Sequence, residues 1–327
     1  MKKIIFLMAL LTLSTNAIAK KVKIGFVLST TQEERYQKDE KYFKAKAKEL
    51  GARVIFASCD NSERIQATKV ENILAKGIKA LVIQPVNSNA AAPMVAAAKK
   101  AGVPVISYDR IINNANLDYH VTQDSYEVGR LQAQAAIKHL KGSGNVVILS
   151  GQAGHSVATE ITRGATDELK KHPKINIVTQ KWHNSWSSSE AMSTVENVLT
   201  KYKNEIHAIL ANNSGMANGA VQALDQQGLA RKIFVGGADA DLAAVRNIVS
   251  GKQHFEVLKA LKPLAEKSAW LAVELANGRF PSTKSVSDNG TKKVPTFNTP
   301  VFPVNSQNIE QQIIAYGFHS KKDVYGK

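Results

Sequence analysis

An acidic and a basic residue stand side by side at the end of one apolar stretch of the chain. The stretch reads VPVISYDRIIN over residues 103–113, and Asp109 and Arg110 follow directly on its strand-forming residues. A carboxylate and a guanidinium at the end of a buried strand can form a plain ion pair, act as a catalytic pair, or hold a polar ligand. The remaining polar residues of the chain decide between these three roles.

Residue types used in metal binding and nucleophilic catalysis occur only as isolated positions. The eight histidines show no HxH or HExxH spacing, and Cys59 is the single cysteine. The sequence has no G-x-S-x-G, no G-x-G-x-x-G after its first strand and no Walker lysine motif. These observations count against an enzyme, and we expect neither a metal ion nor a cofactor.

The spacing of apolar residues predicts alternating strands and helices that would position Asp109 and Arg110. Four short runs rich in apolar residues precede amphipathic stretches in the first third of the chain: residues 21–28, 53–58, 80–84 and 104–107. The alternation begins again at residue 125 and continues to residue 236. Apolar strands that alternate with helices favour a parallel sheet covered on both faces. We therefore predict an α/β protein with two doubly wound lobes.

The last part of the chain adds elements to both predicted lobes. A strand at 254–258 and a helix at 262–277 are followed by short strands around Pro300 and Pro303. We expect the chain to cross between the lobes more than once, through a hinge of several strands. The predicted first lobe comprises residues 20–122 and 260–298, and the second comprises residues 123–257 and 299–327.

The beginning of the chain has the layout of a secretory signal peptide. Lys2 and Lys3 precede an apolar stretch, and small residues lead to a cleavage site after Ala19. The apolar stretch is shorter than the roughly 20 residues that a membrane-spanning helix needs. We therefore assign residues 1–19 to a signal peptide and expect export to the periplasm.

The strongly basic composition does not by itself indicate a nucleic-acid partner. The formal charge of +16 becomes +14 without Lys2 and Lys3. The lysines are spread over predicted helix surfaces, as in KYFKAKAKEL at 41–50, and no nucleic-acid-binding motif accompanies them. We interpret them as solvated surface residues.

Polar side chains recur where the predicted strands end. In open α/β sheets, ligands bind beyond the carboxyl ends of the strands. The polar segments at these ends are residues 30–35, 84–87, 109–110, 150–156, 183–186, 212–214 and 239–241. Together they offer carboxylate acceptors, amide and guanidinium donors, and aromatic rings, which suits a neutral polyhydroxylated ligand.

Several segments resemble one known family. They are ERYQKD at 34–39, SYDRIINNANLDYHVTQDSYEVGRLQA at 107–133, TRGA at 162–165, ANNSGMANGAVQALDQQGLA at 211–230, GGADADLAAVRNI at 236–248, and GFHS at 317–320. The chain resembles periplasmic sugar-binding proteins of the ribose-binding and Lac-repressor-like type, most closely the D-xylose-binding proteins of ABC transporters. The resemblance implies the type I periplasmic binding protein fold and a monomer that carries a monosaccharide to a membrane permease.

The resemblance also implies which residues contact the sugar. It places Tyr36 and Trp186 at the two stacking positions and Arg163 as an arginine that reaches the ligand from the second lobe. The other implied contacts are Arg35, Asp109, Arg110, Asn213, Asp239 and Lys259. Trp182 has no counterpart in the family site, and we expect it to be a packing residue.

Two departures from the family pattern leave the ligand open. Ser156 and Ala158 stand where the family has an Asp and an Asn, and Ser214 follows Asn213 where the family has an Asp. The predicted site then has more cations than anions. Besides D-xylose or a related pentose, the alternatives are a hexose, a cyclitol or other polyol, and a sugar acid.

Other roles for the same fold also stay open. The liganded protein could dock on a chemoreceptor or a histidine kinase. A transcriptional regulator would need a helix-turn-helix domain where the signal peptide stands. An exported hydrolase would use Asp109 and Asp239 as acid and base, and we rank it last.

Overall fold

Residues 21–326 are described by the computed structural model; the predicted signal peptide at 1–19 lies outside them. The first stretch alternates strands with helices up to residue 123. Its elements are β1 (Lys23–Leu28), α1 (Glu34–Glu49), β2 (Arg53–Ser58), α2 (Glu63–Ala75), β3 (Ala80–Ile83), α3 (Ala92–Lys100), β4 (Val105–Tyr108) and β5 (Tyr119–Gln123). This part matches the predicted alternation, with β5 as an additional strand.

A second series of elements follows at once. It comprises α4 (Ser125–His139), β6 (Gly144–Ser150), α5 (Ser156–Leu169), β7 (Ile175–Trp182), a 3₁₀ turn (Asn184–Trp186), α6 (Ser188–Lys201), β8 (Ala208–Ala211), α7 (Ser214–Gln226), β9 (Phe234–Ala238), α8 (Leu242–Val249) and β10 (Phe255–Lys259). The chain ends with α9 (Leu261–Ala276), β11 (Ser285–Asp288), β12 (Lys293–Thr299), β13 (Val301–Val304), a π-helical turn (Glu310–Ala315) and α10 (Lys321–Tyr325).

The strands form two separate sheets, one in each lobe. The first has the order β11-β12-β5-β4-β3-β1-β2, and the second has the order β13-β10-β9-β8-β6-β7. All pairings are parallel except β11 with β12 and β13 with β10, both at sheet edges. The chain passes from one sheet to the other after β5, after β10 and after β12. This arrangement confirms the predicted class of two parallel-sheet α/β lobes; the lobe boundaries given above stay a prediction.

Apolar side chains cover both faces of the first sheet. On one face, Phe26 stacks on Phe43 of α1 with ring centroids 4.0 Å apart, and Leu264 of α9 joins the same cluster. On the other face, Val70 of α2 and Val95 of α3 pack against Val27 and its neighbours. The sheet is therefore buried between two helical layers, which keeps its carboxyl edge in a fixed position. Within residues 21–326, no helix is both long and apolar enough to cross a bilayer.

Glycines bring neighbouring helices of the second lobe into backbone contact. A Cβ atom at Gly129 of α4 would overlap the Ile161 carbonyl of α5, and one at Gly164 would overlap the Tyr126 carbonyl. Gly219 of α7 meets the Ser188 carbonyl of α6 in the same way. The close approaches of Gly129 and Gly164 fix α5, whose first turn borders the cleft between the lobes.

Candidate functional site

The carboxyl ends of the two sheets face each other across a cleft between the lobes. A small cavity there is lined by Glu33, Arg35, Tyr36, Asp109, Arg110, Val157, Trp186, Asn213, Asp239 and Lys259. Eight of the nine residues predicted from the sequence are in this set, and Arg163 is not. The side chains leave a cavity of only about 10 Å³, close to the size of one water molecule.

Asp109 is directed into the cavity by the backbone at the end of β4. It adopts a left-handed conformation with a φ of 63°, and its N–H donates to the Val121 carbonyl at 2.8 Å. Its carboxylate accepts from Gln84 Nε2 at 3.0 Å and lies 3.4 Å from Arg35 Nη2. Burial alone would raise the pKa of Asp109, but Arg35 and then Lys259 hold that pKa below its ordinary value. Asp109 is therefore an ionised acceptor.

Asp239 occupies the equivalent place in the second lobe, at the end of β9. It also has a positive φ, of 96°, and its N–H donates to the Val257 carbonyl at 2.9 Å. Its Oδ1 lies 3.1 Å from Lys259 Nζ and 3.5 Å from Arg35 Nη1. Each lobe thus contributes one aspartate at the end of a buried strand.

Arg35 joins these two aspartates. Its side chain is 5% exposed and lies 3.4–3.5 Å from Asp39, Asp109 and Asp239. Burial by itself would lower the pKa of Arg35, but the three carboxylates raise that pKa well above its ordinary value. Each of these distances is long for a charge-assisted hydrogen bond, which is typically 2.7–2.9 Å. The ion pairs of Arg35 are therefore loose.

Arg110 is held mainly by groups of its own lobe. Nη1 donates to Ser29 Oγ at 3.2 Å and to the Pro85 carbonyl at 3.1 Å, and Nη2 donates to Tyr36 Oη at 2.9 Å. Nε is buried and has no hydrogen-bond partner among residues 21–326. Tyr36 also lies under the Arg35 guanidinium, 5.2 Å from ring centroid to Cζ. Arg110 thus keeps one donor free beside the cavity.

Trp186 forms the wall of the cavity on the second lobe. Its indole N–H donates to His155 Nδ1 at 2.7 Å, which fixes the ring plane. Burial, together with the nearby Arg110 charge, lowers the pKa of His155 to about 2, so this imidazole is neutral at physiological pH. Beside it, Asn213 caps α7 by accepting from the Met216 N–H at 2.9 Å. The side chains of this wall are thus fixed by hydrogen bonds within the second lobe.

Arg163 does not point into the cavity, contrary to the prediction. Its side chain is 53% exposed, pairs with Glu160 on the same helix at 2.5 Å, and lies over the Tyr126 ring at 4.3 Å. Thr162, one residue earlier, points inward and lies 3.1 Å from Asn212 Oδ1. A helix turns by about 100° per residue, so a shift of one position moves a side chain to another face.

The residues next to Ser156 and Ala158, one position earlier in each case, likewise lie closer to the cavity than these two do. Val157 lines the cavity, and His155 contacts both Trp186 and Arg110. Ser156 instead accepts from the Ile111 N–H of the first lobe at 3.1 Å, and Ala158 is buried in the core of the second lobe. His155 and Val157, rather than Ser156 and Ala158, are therefore the residues of this segment that border the cavity and its wall.

Trp182 lies outside the cavity, at the end of β7. Its side chain is 38% exposed, so it is a surface residue rather than the packing residue that we predicted.

Glu33 is a cavity residue that the sequence analysis did not single out. It precedes α1 within the polar segment after β1, and burial raises its pKa. Its Oε2 is buried without a hydrogen-bond partner among the described residues. The cavity wall therefore carries three cationic side chains, Arg35, Arg110 and Lys259, against the three acidic side chains Glu33, Asp109 and Asp239. The positive excess predicted from the sequence is not present.

Glu256 is a fully buried acid behind Asp239, and it makes the stability of the fold depend on pH. Burial raises the pKa of Glu256 to about 8, against donation from the Ala240 N–H and from Gln253. The folded protein therefore holds this proton more tightly than the unfolded chain. The free energy of unfolding consequently falls as the pH rises from about 4.5 to about 8.

Glu256→Gln should remove this pH-dependent loss. We expect the variant to gain a few kcal/mol in unfolding free energy relative to wild type between pH 5 and pH 8. Urea titrations of both proteins across this range would measure the difference. A constant difference at all pH values would show that Glu256 ionises normally in the folded protein.

The donors and acceptors of the cavity suit binding better than catalysis. A hydrolase would need one protonated and one ionised carboxyl group, but Arg35 lies within 3.5 Å of both Asp109 and Asp239, and the pKa of Asp109 is held below its ordinary value. Among the described residues, no group of three or more His, Cys, Asp or Glu side chains is placed to hold a metal ion.

Comparison with known proteins places this geometry in context. Residues 24–280 match the model of a periplasmic binding protein domain. The D-xylose-binding periplasmic protein of Haemophilus influenzae is 38% identical over 320 residues, which cover 97% of this chain and 96% of that protein.

Two solved structures have the same fold. A carbohydrate transporter solute binding protein from Chloroflexus aurantiacus, in complex with D-glucose, is 30% identical with a TM-score of 0.86, and the match covers 93% of this chain and 98% of that one. An ABC transporter solute binding protein from Bacillus halodurans with bound myo-inositol is 28% identical with a TM-score of 0.80, covering 89% and 96%.

Proposed function

Because this chain belongs to the periplasmic binding protein family, we propose that it captures a neutral monosaccharide between its lobes and delivers it to the permease of an ABC transporter. The observation that carries this proposal is the pair of aspartates, one from each lobe, that meet at Arg35. A sugar hydroxyl both donates and accepts, so it can replace the loose contacts of Arg35 with shorter ones to Asp109 and Asp239.

Binding requires the lobes to open and close. The cavity of about 10 Å³ is too small for a sugar ring, and contacts between the lobes surround it. Leu242 N–H donates to Glu34 at 3.0 Å, and Ser88 N–H donates to the Gly154 carbonyl at 3.2 Å. A ligand that contacts both lobes stabilises the closed form by the free energy of those contacts.

We propose D-xylose, or a related pentose, as the ligand. The 38% identity to the D-xylose-binding protein of H. influenzae supports this choice. A hexose or a cyclitol is the alternative, since solved relatives contain D-glucose and myo-inositol. The balanced charges of the cavity wall disfavour a sugar acid.

The same family membership supports a location and an assembly state for this protein. We propose that residues 1–19 are a signal peptide cleaved after Ala19, and that the mature chain acts as a periplasmic monomer with the lobe boundaries predicted above. Docking of the closed form to a chemoreceptor or a histidine kinase stays a prediction.

Trp186 provides a direct signal for binding. A sugar ring beside this buried indole changes its surroundings, so tryptophan emission should change on addition of D-xylose in a saturable way. Fluorescence titration with pentoses, hexoses and cyclitols would rank the ligands.

The matched control is Trp186→Phe, which keeps an aromatic face and leaves Trp182 and Trp270 as the remaining indoles. In this variant the emission change should disappear while calorimetry still detects binding. If no sugar of the panel gave a fluorescence or calorimetric signal with the wild-type protein, the proposed function would be wrong.

A further inference from the structure

A larger chamber lies in the cleft directly beside the small cavity. It has a volume of about 660 Å³, and Asp109 and Val157 line both spaces. We call it the side chamber; its inner end is formed by the buried residues His120, Thr122 and Ser125. Its rim includes Asp124, Tyr126, Thr159, Glu160, Arg163, Asp288 and Asn298. Its volume falls within the roughly 300–1,000 Å³ that is usual for small-molecule sites.

Buried polar groups at the inner end have free hydrogen-bonding capacity. His120 is 4% exposed, and its Nδ1 lies 3.1 Å from the Ser107 carbonyl, which fixes the proton on Nδ1 and leaves Nε2 as an acceptor. Neither this Nε2 nor the hydroxyl of Ser125, which is 8% exposed, is hydrogen-bonded to another residue in 21–326. Burial lowers the pKa of His120 to about 4, so the imidazole is a neutral acceptor at pH 7.

The rim of the side chamber selects against anions. Three carboxylates, those of Asp124, Glu160 and Asp288, surround the opening, and Arg163 is already paired with Glu160 at 2.5 Å. Neutral hydroxyl groups can use both the acceptor and the hydroxyl at the inner end. The chemistry of the chamber therefore matches a neutral hydroxylated ring, as does that of the small cavity.

We propose that the side chamber is a second sugar subsite, which takes the second pyranose ring of a short oligosaccharide whose first ring lies in the small cavity. The linkage passes between Asp109 and Val157, the two residues that both spaces share. This inference rests on the proposed function. The same chemistry would also accept a separate monosaccharide molecule as the occupant.

Isothermal titration calorimetry with D-xylose and with its β-1,4-linked disaccharide tests the proposal. We expect the disaccharide to bind with one molecule per chain and at least as tightly as D-xylose. Two D-xylose molecules per chain would also support the subsite, with a separate molecule as its occupant. Binding of one D-xylose without any binding of the disaccharide would overturn the proposal. If neither sugar bound, the proposed function would fail together with it.

Thr159→Trp should weaken binding in the side chamber without affecting binding in the small cavity. Thr159 lies on α5 at an exposed position facing the side chamber, and an indole there would project into it. We expect about a 100-fold loss of affinity for the disaccharide, because the indole takes up space that the second ring would use, and little change for D-xylose. Thr200→Trp is the matched control, since both threonines are exposed on helices and donate to the carbonyl four residues earlier.

Ser125→Ala gives a second and milder test. Loss of one hydrogen bond should weaken disaccharide binding by about two- to tenfold and leave D-xylose binding unchanged. Unchanged disaccharide binding in both Thr159→Trp and Ser125→Ala would contradict the assignment of the side chamber.

Discussion

Replacing Asp109 with alanine is expected to weaken D-xylose binding about a thousandfold, or by about 4 kcal/mol. The variant loses the first-lobe acceptor for sugar hydroxyls and leaves Arg35 with one carboxylate fewer in a buried position. It also removes the acceptor of the hydrogen bond that Gln84 Nε2 donates to Asp109 at 3.0 Å. Calorimetric titration of the variant and the wild-type protein would measure the effect.

Asp225→Ala is the control for this experiment. Asp225 pairs with Lys252 on the surface, and its side chain is 50% exposed, so its removal should leave the affinity within about twofold of wild type. If Asp109→Ala retained its affinity for D-xylose, the sugar would have to bind at another place in the cleft.

Gly129→Ala is expected to lower the free energy of unfolding by about 3 kcal/mol. The added Cβ would overlap the Ile161 carbonyl and approach the Ala165 nitrogen at 2.7 Å. Backbone atoms of a packed helix cannot move aside as the end of a flexible side chain can, so α4 and α5 have to separate. Urea denaturation followed by circular dichroism would report the loss.

Gly215→Ala provides the matched exchange in another helix. A Cβ at Gly215 would have its nearest neighbour at 3.4 Å, an ordinary contact distance. Alanine has the higher helix propensity, so this variant should be as stable as wild type or up to about 1 kcal/mol more stable. If Gly129→Ala and wild type had the same free energy of unfolding, α4 and α5 would be able to move apart without a loss of stability.

Local sequence patterns were sufficient to predict most of the fold, but pairings between distant segments were not. The strands of the first sheet up to β4 are short apolar runs with glycine after the intervening helices. β5 was not predicted, because His120 and Thr122 interrupt its apolar pattern. Its partner β12 follows more than 160 residues later, and it pairs Thr296 with His120. A pairing between segments so far apart in the chain cannot be predicted from the local sequence of either one.

The polar residues at the strand ends were sufficient to locate the candidate site from the sequence. Which residues of α5 face the cavity could be determined only from the structure. Asp109 and Asp239 follow directly on strands, where position along the chain determines position in the cleft. Arg163 and Thr162 lie in the second turn of a helix, where the choice of facing residue depends on how α5 packs on α4. Gly129 and Gly164 fix that packing through contacts that no spacing rule describes.

The left-handed backbone of Asp109 and Asp239 has a consequence for the evolution of this protein. An aspartate with a positive φ costs about 1 kcal/mol of stability, which a glycine at the same place would not. In return, each turn fixes its carboxylate before a ligand arrives, so little conformational entropy is lost on binding. A glycine at either turn would avoid this strain but would leave the buried Arg35 with one carboxylate fewer, so the strained turn is kept in both lobes for the sake of the carboxylate that it positions.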